Sequence, residues 1–377
     1  MRLISSIIIL SHLRSALLRN VIEITLFSSS NLGLKGSDLD LYMNLGETQE
    51  SKDENSNVKA GTWEVKHKTK QVANILYADS SERFRSAQPV VRAKTPIVRV
   101  KDRITGIRCD LNTCTRMGVI NSAWVRFCAD YHPTIRNLLI LVKVFSMRQS
   151  LTGSGRGDHL TSYCLTVMVI FFLQTRGILH PVTVLQEVSN LPRLQISGYN
   201  FSFSRDQALL PPLQQSCIPP LTSLLRDFFT YFADFTFGSK AVCPLVGEPV
   251  LLFSLRNGTF LHPRLEGCAT GKSKDRLKTE KVMVVQDPFE LRRNIAANVS
   301  SKRLNRVVRT FEAAAKLLEE MEVQGVADSK ARNILARLLS RDLVPQIEGT
   351  PTDQESNKKA FTLRTEEEDA EEPELMK

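Results

Sequence analysis

The 377-residue chain is 42% hydrophobic and 24% charged, a balance that excludes collagen-like and wholly disordered polymers and leaves room for two globular domains. Its net charge of +10 is unevenly held: residues 350–377 carry nine acids against four bases, so residues 1–349 carry +15. A basic body points to a polyanionic partner, nucleic acid being the usual one, or else to a generic basic enzyme surface; the acidic end reads as a disordered tail.

The seven cysteines are scattered, odd in number and without C-x-x-C spacing. They read as reduced, mostly buried thiols in an intracellular setting. The six histidines show no metal-ligand spacing either. The apolar run at 165–173 is too short to cross a bilayer and suits a buried helix, so no membrane partner is expected.

In chain order, "MRLISSIIILSHLRSALLRN" is basic with a short apolar run, which could pass for a targeting peptide. A strand expected to begin near Val21 would follow it directly, so a truncated start is preferred over a cleaved leader. "VIEITLF" (21–27) reads as that strand, followed by a Ser/Gly turn and a second strand, "DLDLYM". The two-residue period of a strand puts Asp38 and Asp40 on one face. Like charges side by side repel unless a cation sits between them, which suits a divalent ion with hard oxygen ligands. A solvated edge strand has the same pattern, so the surroundings must decide.

A polar loop over 47–62 and a helix from about Val65 to Tyr77 follow. "PIVRV" (96–100) and "GIRCDL" (106–111) form a hairpin around Asp102–Thr105 and deliver a third acid, Asp110. A D-x-D pair with a single Asp on a neighbouring strand can hold two divalent ions about 3.5–4 Å apart. One ion would activate an attacking hydroxyl and the other would neutralise a triphosphate.

From Ser122 the period turns helical: "WVRFCADY", "TIRNLLILVKVFSMRQ" and "LTSYCLTVMVIFFLQTRG" are expected as successive helices. The G-x-G-x-G of "TGSGRGDH" follows no strand and is weak as a dinucleotide fingerprint. "SLLRDFFTYFADFTF" (223–237) reads as an aromatic core helix, 257–281 as a loop, and 301–320 as a last helix.

Taken in order, "FSSSNLGLKGSDLDLYM", "PIVRV…IRCDLN", "GVINS", "LTSYCLTVMVIFFLQ", "LLRDFFTYFADFTF" and "QDPFELRRNIAANVS" resemble the terminal nucleotidyltransferases of the DNA polymerase β superfamily over about residues 21–320. "GSGRGDHLTSYCLTVMVIFFLQTRG" and "NFSFSRD" narrow the resemblance to the branch that acts on U6 small nuclear RNA. The resemblance implies an α+β fold: a nucleotidyltransferase palm with a mixed sheet over 1–115, a mostly helical central domain over 116–345 with a PAP-associated region near 220–290, and the tail over 346–377. It further implies a nuclear monomer, of nucleolus or speckles, that adds UMP from UTP to an RNA 3′ end without a template, using two Mg²⁺ or Mn²⁺ ions. ATP as the substrate, or an impaired RNA-binding pseudo-enzyme, are the alternatives.

The same resemblance assigns roles residue by residue. Asp38, Asp40 and Asp110 would hold the metal ions, with Asp110 helping to deprotonate the RNA 3′ hydroxyl. Ser29 would touch the phosphates, Asn121 the ribose, Lys143 and Ser162 the triphosphate, and Tyr163 would stack on the base. Asp287 and Glu290 belong to the "DPFE" loop that helps to choose the base. Three departures stand out: Ser28 replaces a glycine in a shortened turn, Met147 replaces a second lysine, and Arg293 replaces the histidine common in uridylyltransferases. Arginine donates to a base carbonyl but, unlike neutral histidine, cannot accept.

Overall fold

The structure, a computed structural model, describes residues 38–44, 63–79, 83–93, 95–153, 157–213, 217–259, 261–270, 276–323, 336–340 and 343, with the backbone alone of 23–27. The first twenty residues, the turn with Ser28 and Ser29, the loop at 47–62 and the acidic tail lie outside them.

The sheet is five-stranded: β1 (Glu23–Phe27), β2 (Leu39–Asn44), β3 (Phe84–Val90), β4 (Ile97–Asp102) and β5 (Arg108–Asn112), in the order β1-β2-β5-β4-β3. Only β2 and β5 run parallel; the other neighbours are antiparallel. A parallel pair needs a long crossover. Helix α1 (Trp63–Asp79), β3 and β4 make it. Alternation along β2, β4 and β5 turns Leu39, Leu41, Met43, Val98, Val100, Cys109 and Leu111 toward Val72, Ala73 and Leu76 of α1, forming one buried cluster. The opposite face is thereby left to the polar residues of the same strands.

β3 was not expected from the sequence. Its Pro89 removes a donor, Ser86 has φ of 54°, and the register slips between Arg85 and Gln88, so no clean alternation marks it. A strand at the sheet edge tolerates all three, because one side of its backbone is unpaired.

The rest is mostly helical: α2 (Met117–Asp130), α3 (Pro133–Arg148), α4 (Ser162–Thr175), α5 (Val182–Gln186), α6 (Leu221–Ala233), α7 (Leu252–Asn257) and α8 (Ser301–Val323), with two short ribbons between them. α2 begins at Met117, ahead of the expected Ser122. The Asn112 side chain accepts from the N–H groups of Cys114 and Thr115, and Thr115 Oγ1 accepts from Met117 N, so β5 is turned straight into the helix. α3 opens with Pro133 in its first turn, where the missing N–H costs nothing, and with His132 accepting from Thr134 N at 3.2 Å. α4 is buried on every side from Cys164 to Gln174, as its apolar run predicts.

α6 ends at Ala233, earlier than the aromatic run suggests, but Phe235 and Phe237 still pack beside Phe232. Phe228 and Phe229 of α6 meet Phe311 of α8 at 5.6 and 5.2 Å, and Phe229 meets Phe145 of α3 at 4.6 Å. These aromatics hold the helices together; offset and edge contacts add to what burial alone contributes. α7, which the sequence did not suggest, ends where the segment expected as loop begins, and is closed by Gly258 with φ of 70°. Among the described residues no helix is long and apolar enough to cross a membrane.

Candidate active site

The parallel register of β2 and β5 makes Asp40 and Asp110 direct partners, and the β4–β5 register makes Arg99 the partner of Asp110 on the other side. Asp38 lies two residues before Asp40, on the same face. Arg99 grips Asp110 with both forks, Nε to Oδ1 and Nη2 to Oδ2 each at 2.8 Å. That grip raises the Arg99 guanidinium above its ordinary range. Arg108 Nε donates to Asp38 Oδ1 at 3.1 Å. Asp40 takes neither arginine.

Burial first, then the charges of Asp110 and Asp38, push the Asp40 carboxyl up to about 7, while Lys143 pulls it down. Lys143 is only 5% exposed and comes from α3, so the helical half brings a positive charge to the acids of the sheet. Helical period puts it on the buried side of α3, four residues after Leu139, but does not say which acids it meets.

The donor set suits a divalent cation in kind, being hard carboxylate oxygen, and in register, with Asp40 beside Asp110. Crowding of like charge at Asp40 is what such an ion would relieve. In the present rotamers Asp38 and Asp110 face their arginines, and among the described residues no three acidic, histidine or cysteine side chains converge as a ready ligand set. An ion loaded at this site would compete with Arg99 and Arg108 for these carboxylates.

A second group lies where α4 begins. Thr161 Oγ1 accepts from Cys164 N at 3.1 Å and caps the helix, setting Ser162 and Tyr163 in its first turn. Tyr163 Oη donates to Asp287 Oδ2 at 3.3 Å. Asp287 Oδ1 accepts from the N–H groups of Phe289 and Glu290, both at 3.0 Å, so the carboxylate closes its own loop. Burial pushes the Asp287 carboxyl up from the usual range, opposed by Arg293; burial and the Asp287 charge push the Tyr163 hydroxyl well up. Arg293 Nη1 lies 2.6 Å from Glu290 Oε2 and 3.9 Å from Asp287 Oδ2. The guanidinium expected to face a base is thus already tied to the loop that carries it.

Asn121, on α2, is buried, and among the described residues its Oδ1 has no hydrogen-bond partner. A buried acceptor left unpaired costs stability unless a donor arrives. The structure thus brings Asp38, Asp40, Asp110 and Lys143 into one group and Tyr163, Asp287, Glu290 and Arg293 into another. Ser162 stands beside the second group, and Ser29 lies outside the described residues. Sequence reading passed over Arg99, Arg108 and Thr161. Arg108 was within reach, since R-C-D repeats the two-residue spacing of D-L-D; Arg99 needed the strand register.

Residues 9–129 match the model of the central palm domain of mitochondrial-like poly(A) RNA polymerase. The speckle targeted PIP5K1A-regulated poly(A) polymerase of Ailuropoda melanoleuca is 31% identical over 247 residues, 63% of this chain and 26% of the relative. The human mitochondrial poly(A) RNA polymerase is 26% identical over 319 residues, 81% of this chain and 50% of the relative. The chain therefore spans about a quarter to a half of the length of these relatives. Among solved structures, mtPAP in complex with ATPγS superposes with a TM-score of 0.68 at 22% identity, covering 88% of this chain and 67% of that one. A cytoplasmic RNA terminal U-transferase gives 0.64 at 22% identity, covering 88% and 91%. The chain is similar in sequence to speckle-targeted and mitochondrial poly(A) polymerases, and its α+β fold is that of mtPAP and of a cytoplasmic RNA terminal U-transferase.

Proposed function

We propose that the chain transfers ribonucleotides from a nucleoside triphosphate to the 3′ end of an RNA, without a template. The observation that carries this reading is the pairing of Asp40 with Asp110 across parallel strands, with Lys143 reaching them from the helical half. We take the palm to be 1–115 and the helical domain 116–345, with the nucleotide between them.

Asp38, Asp40 and Asp110 would hold two Mg²⁺ or Mn²⁺ ions, which when bound neutralise the triphosphate and ease ionisation of the attacking hydroxyl. The RNA 3′ oxygen attacks the α-phosphorus, its proton passes toward Asp110, the bond between α-phosphorus and bridging oxygen breaks, and pyrophosphate leaves. Lys143 and Ser162 face the phosphates, and Asn121 Oδ1 accepts from a ribose hydroxyl. Tyr163, its hydroxyl fixed by Asp287, offers a ring face to the base. Catalysis of this kind is positioning and charge neutralisation.

UTP is the first choice of nucleotide. A second reading, ATP, is favoured by the engagement of Arg293 with Glu290 and by the relatives, which are named as poly(A) polymerases. Purified protein with Mn²⁺, a labelled RNA and each nucleotide in turn separates these: UMP addition is expected to lead. Asp110→Ala is expected to abolish extension and leave RNA binding measurable, and intact extension in that variant would refute the site. No extension with any nucleotide, alongside retained RNA binding, would establish the pseudo-enzyme instead. The relatives' names divide between nuclear speckles and mitochondria; nuclear residence is proposed here, and imaging of the tagged chain tests it.

A further inference from the structure

Helix α1 buries Val65, Thr69, Val72, Ala73 and Leu76 against the sheet. Its outward side carries a stripe of Trp63, Lys66, His67, Lys70, Asn74 and Tyr77, all exposed, flanked by exposed Gln71 and Ala78. Their spacing of three, four or seven residues keeps them in line along one face of a helix. Trp63 is 77% and Tyr77 72% exposed. The Trp63 ring stacks on the His67 imidazole, centroids 4.8 Å apart and planes 22° from parallel, so the indole is held in place on one side. Lys66 and Lys70 lie one turn apart, where like charges repel. None of these six side chains is acidic. Packing against the sheet accounts for the buried side of α1.

An aromatic ring held beside paired cations is what single-stranded nucleic acid uses: bases stack on the ring while phosphates relieve the lysines. We propose that the outward stripe of α1 is a docking surface for the body of a single-stranded RNA, on the side of the sheet away from the carboxylates. The choice of RNA over another polyanion rests on the reading of the site given above, together with the +15 charge of residues 1–349.

The chain has two tryptophans, and Trp124 is fully buried, so Trp63 reports on this surface by its own fluorescence. Titration with a long oligouridylate is expected to quench the emission, and Trp63→Phe to remove the quenching. Trp63→Ala and the pair Lys66→Glu with Lys70→Glu are each expected to weaken binding of the long RNA about tenfold. Extension of an RNA too short to reach α1 should be unchanged in these variants. Affinity and emission that do not respond to RNA overturn the proposal, including the case in which the stripe serves a protein partner. Loss of extension in the unaltered chain, with quenching retained, overturns the transferase reading and leaves the RNA surface standing.

Discussion

Glu290 holds the Arg293 guanidinium at 2.6 Å, so under the proposed function Arg293 would act on base choice only through what that ion pair leaves exposed. A histidine there cannot make the same charge-assisted contact and regains an acceptor. Arg293→His is expected to raise the ratio of UMP to AMP incorporation several-fold, measured by competition between the two nucleotides; an unchanged ratio would remove Arg293 from base selection. One turn after Lys143, where the resemblance leads to the expectation of a second lysine, stands Met147, 52% exposed. Met147→Lys is expected to lower KM for the nucleotide about fivefold with little change in kcat, as one further charge-assisted phosphate contact of roughly 1 kcal/mol would do. The three acids could be picked out in the sequence because the D-x-D period and the resemblance to a known family rest on residue type and order; that their strands are neighbours could not. Arg99 was not, because the residue facing Asp110 across β4 depends on the hairpin register, which a one-residue slip would change.

At the scale of elements, the start of α4 matters most, since one cap fixes where Ser162 and Tyr163 stand. Removing the Thr161 hydroxyl leaves Cys164 N without its acceptor. Thr161→Ala is expected to cost about 1 kcal/mol of stability, seen as a lower urea midpoint at unchanged slope. A stability equal to that of the original chain would show that the cap bond contributes nothing. Gly247 is more exacting: its φ is 72°, and an added Cβ would lie 2.7 Å from Pro181 Cγ. The helices with strong apolar patterns, α3, α4, α6 and α8, were read correctly in kind. β3, with its proline and shifted register, and the short α7 were not, because context and not local pattern holds them.

For the whole molecule, two buried hydrophobic clusters divide the chain, one between α1 and the sheet and one among the helices. Six of the seven thiols sit in or against protein interior, and only Cys217 is exposed. Burial pushes the Cys109, Cys164 and Cys243 thiols up to about 12 and that of Cys268 to about 11. The reactive form is the thiolate, so near pH 8 these groups are both shielded and protonated. Alkylation of the native protein is expected to mark Cys217 first, with the buried thiols reacting only on unfolding; rapid labelling of Cys164 would contradict the packing of α4. By itself the sequence determined the acids, their order along the chain, the long helices and the basic body, because these follow from residue type and local period. Only the tertiary structure decided that Asp110 stands beside Asp40, that Arg99 and Arg108 hold Asp110 and Asp38, and that Lys143 reaches the acids from another element. Those facts depend on strand register and on packing across more than a hundred residues of chain, which no short window of sequence encodes.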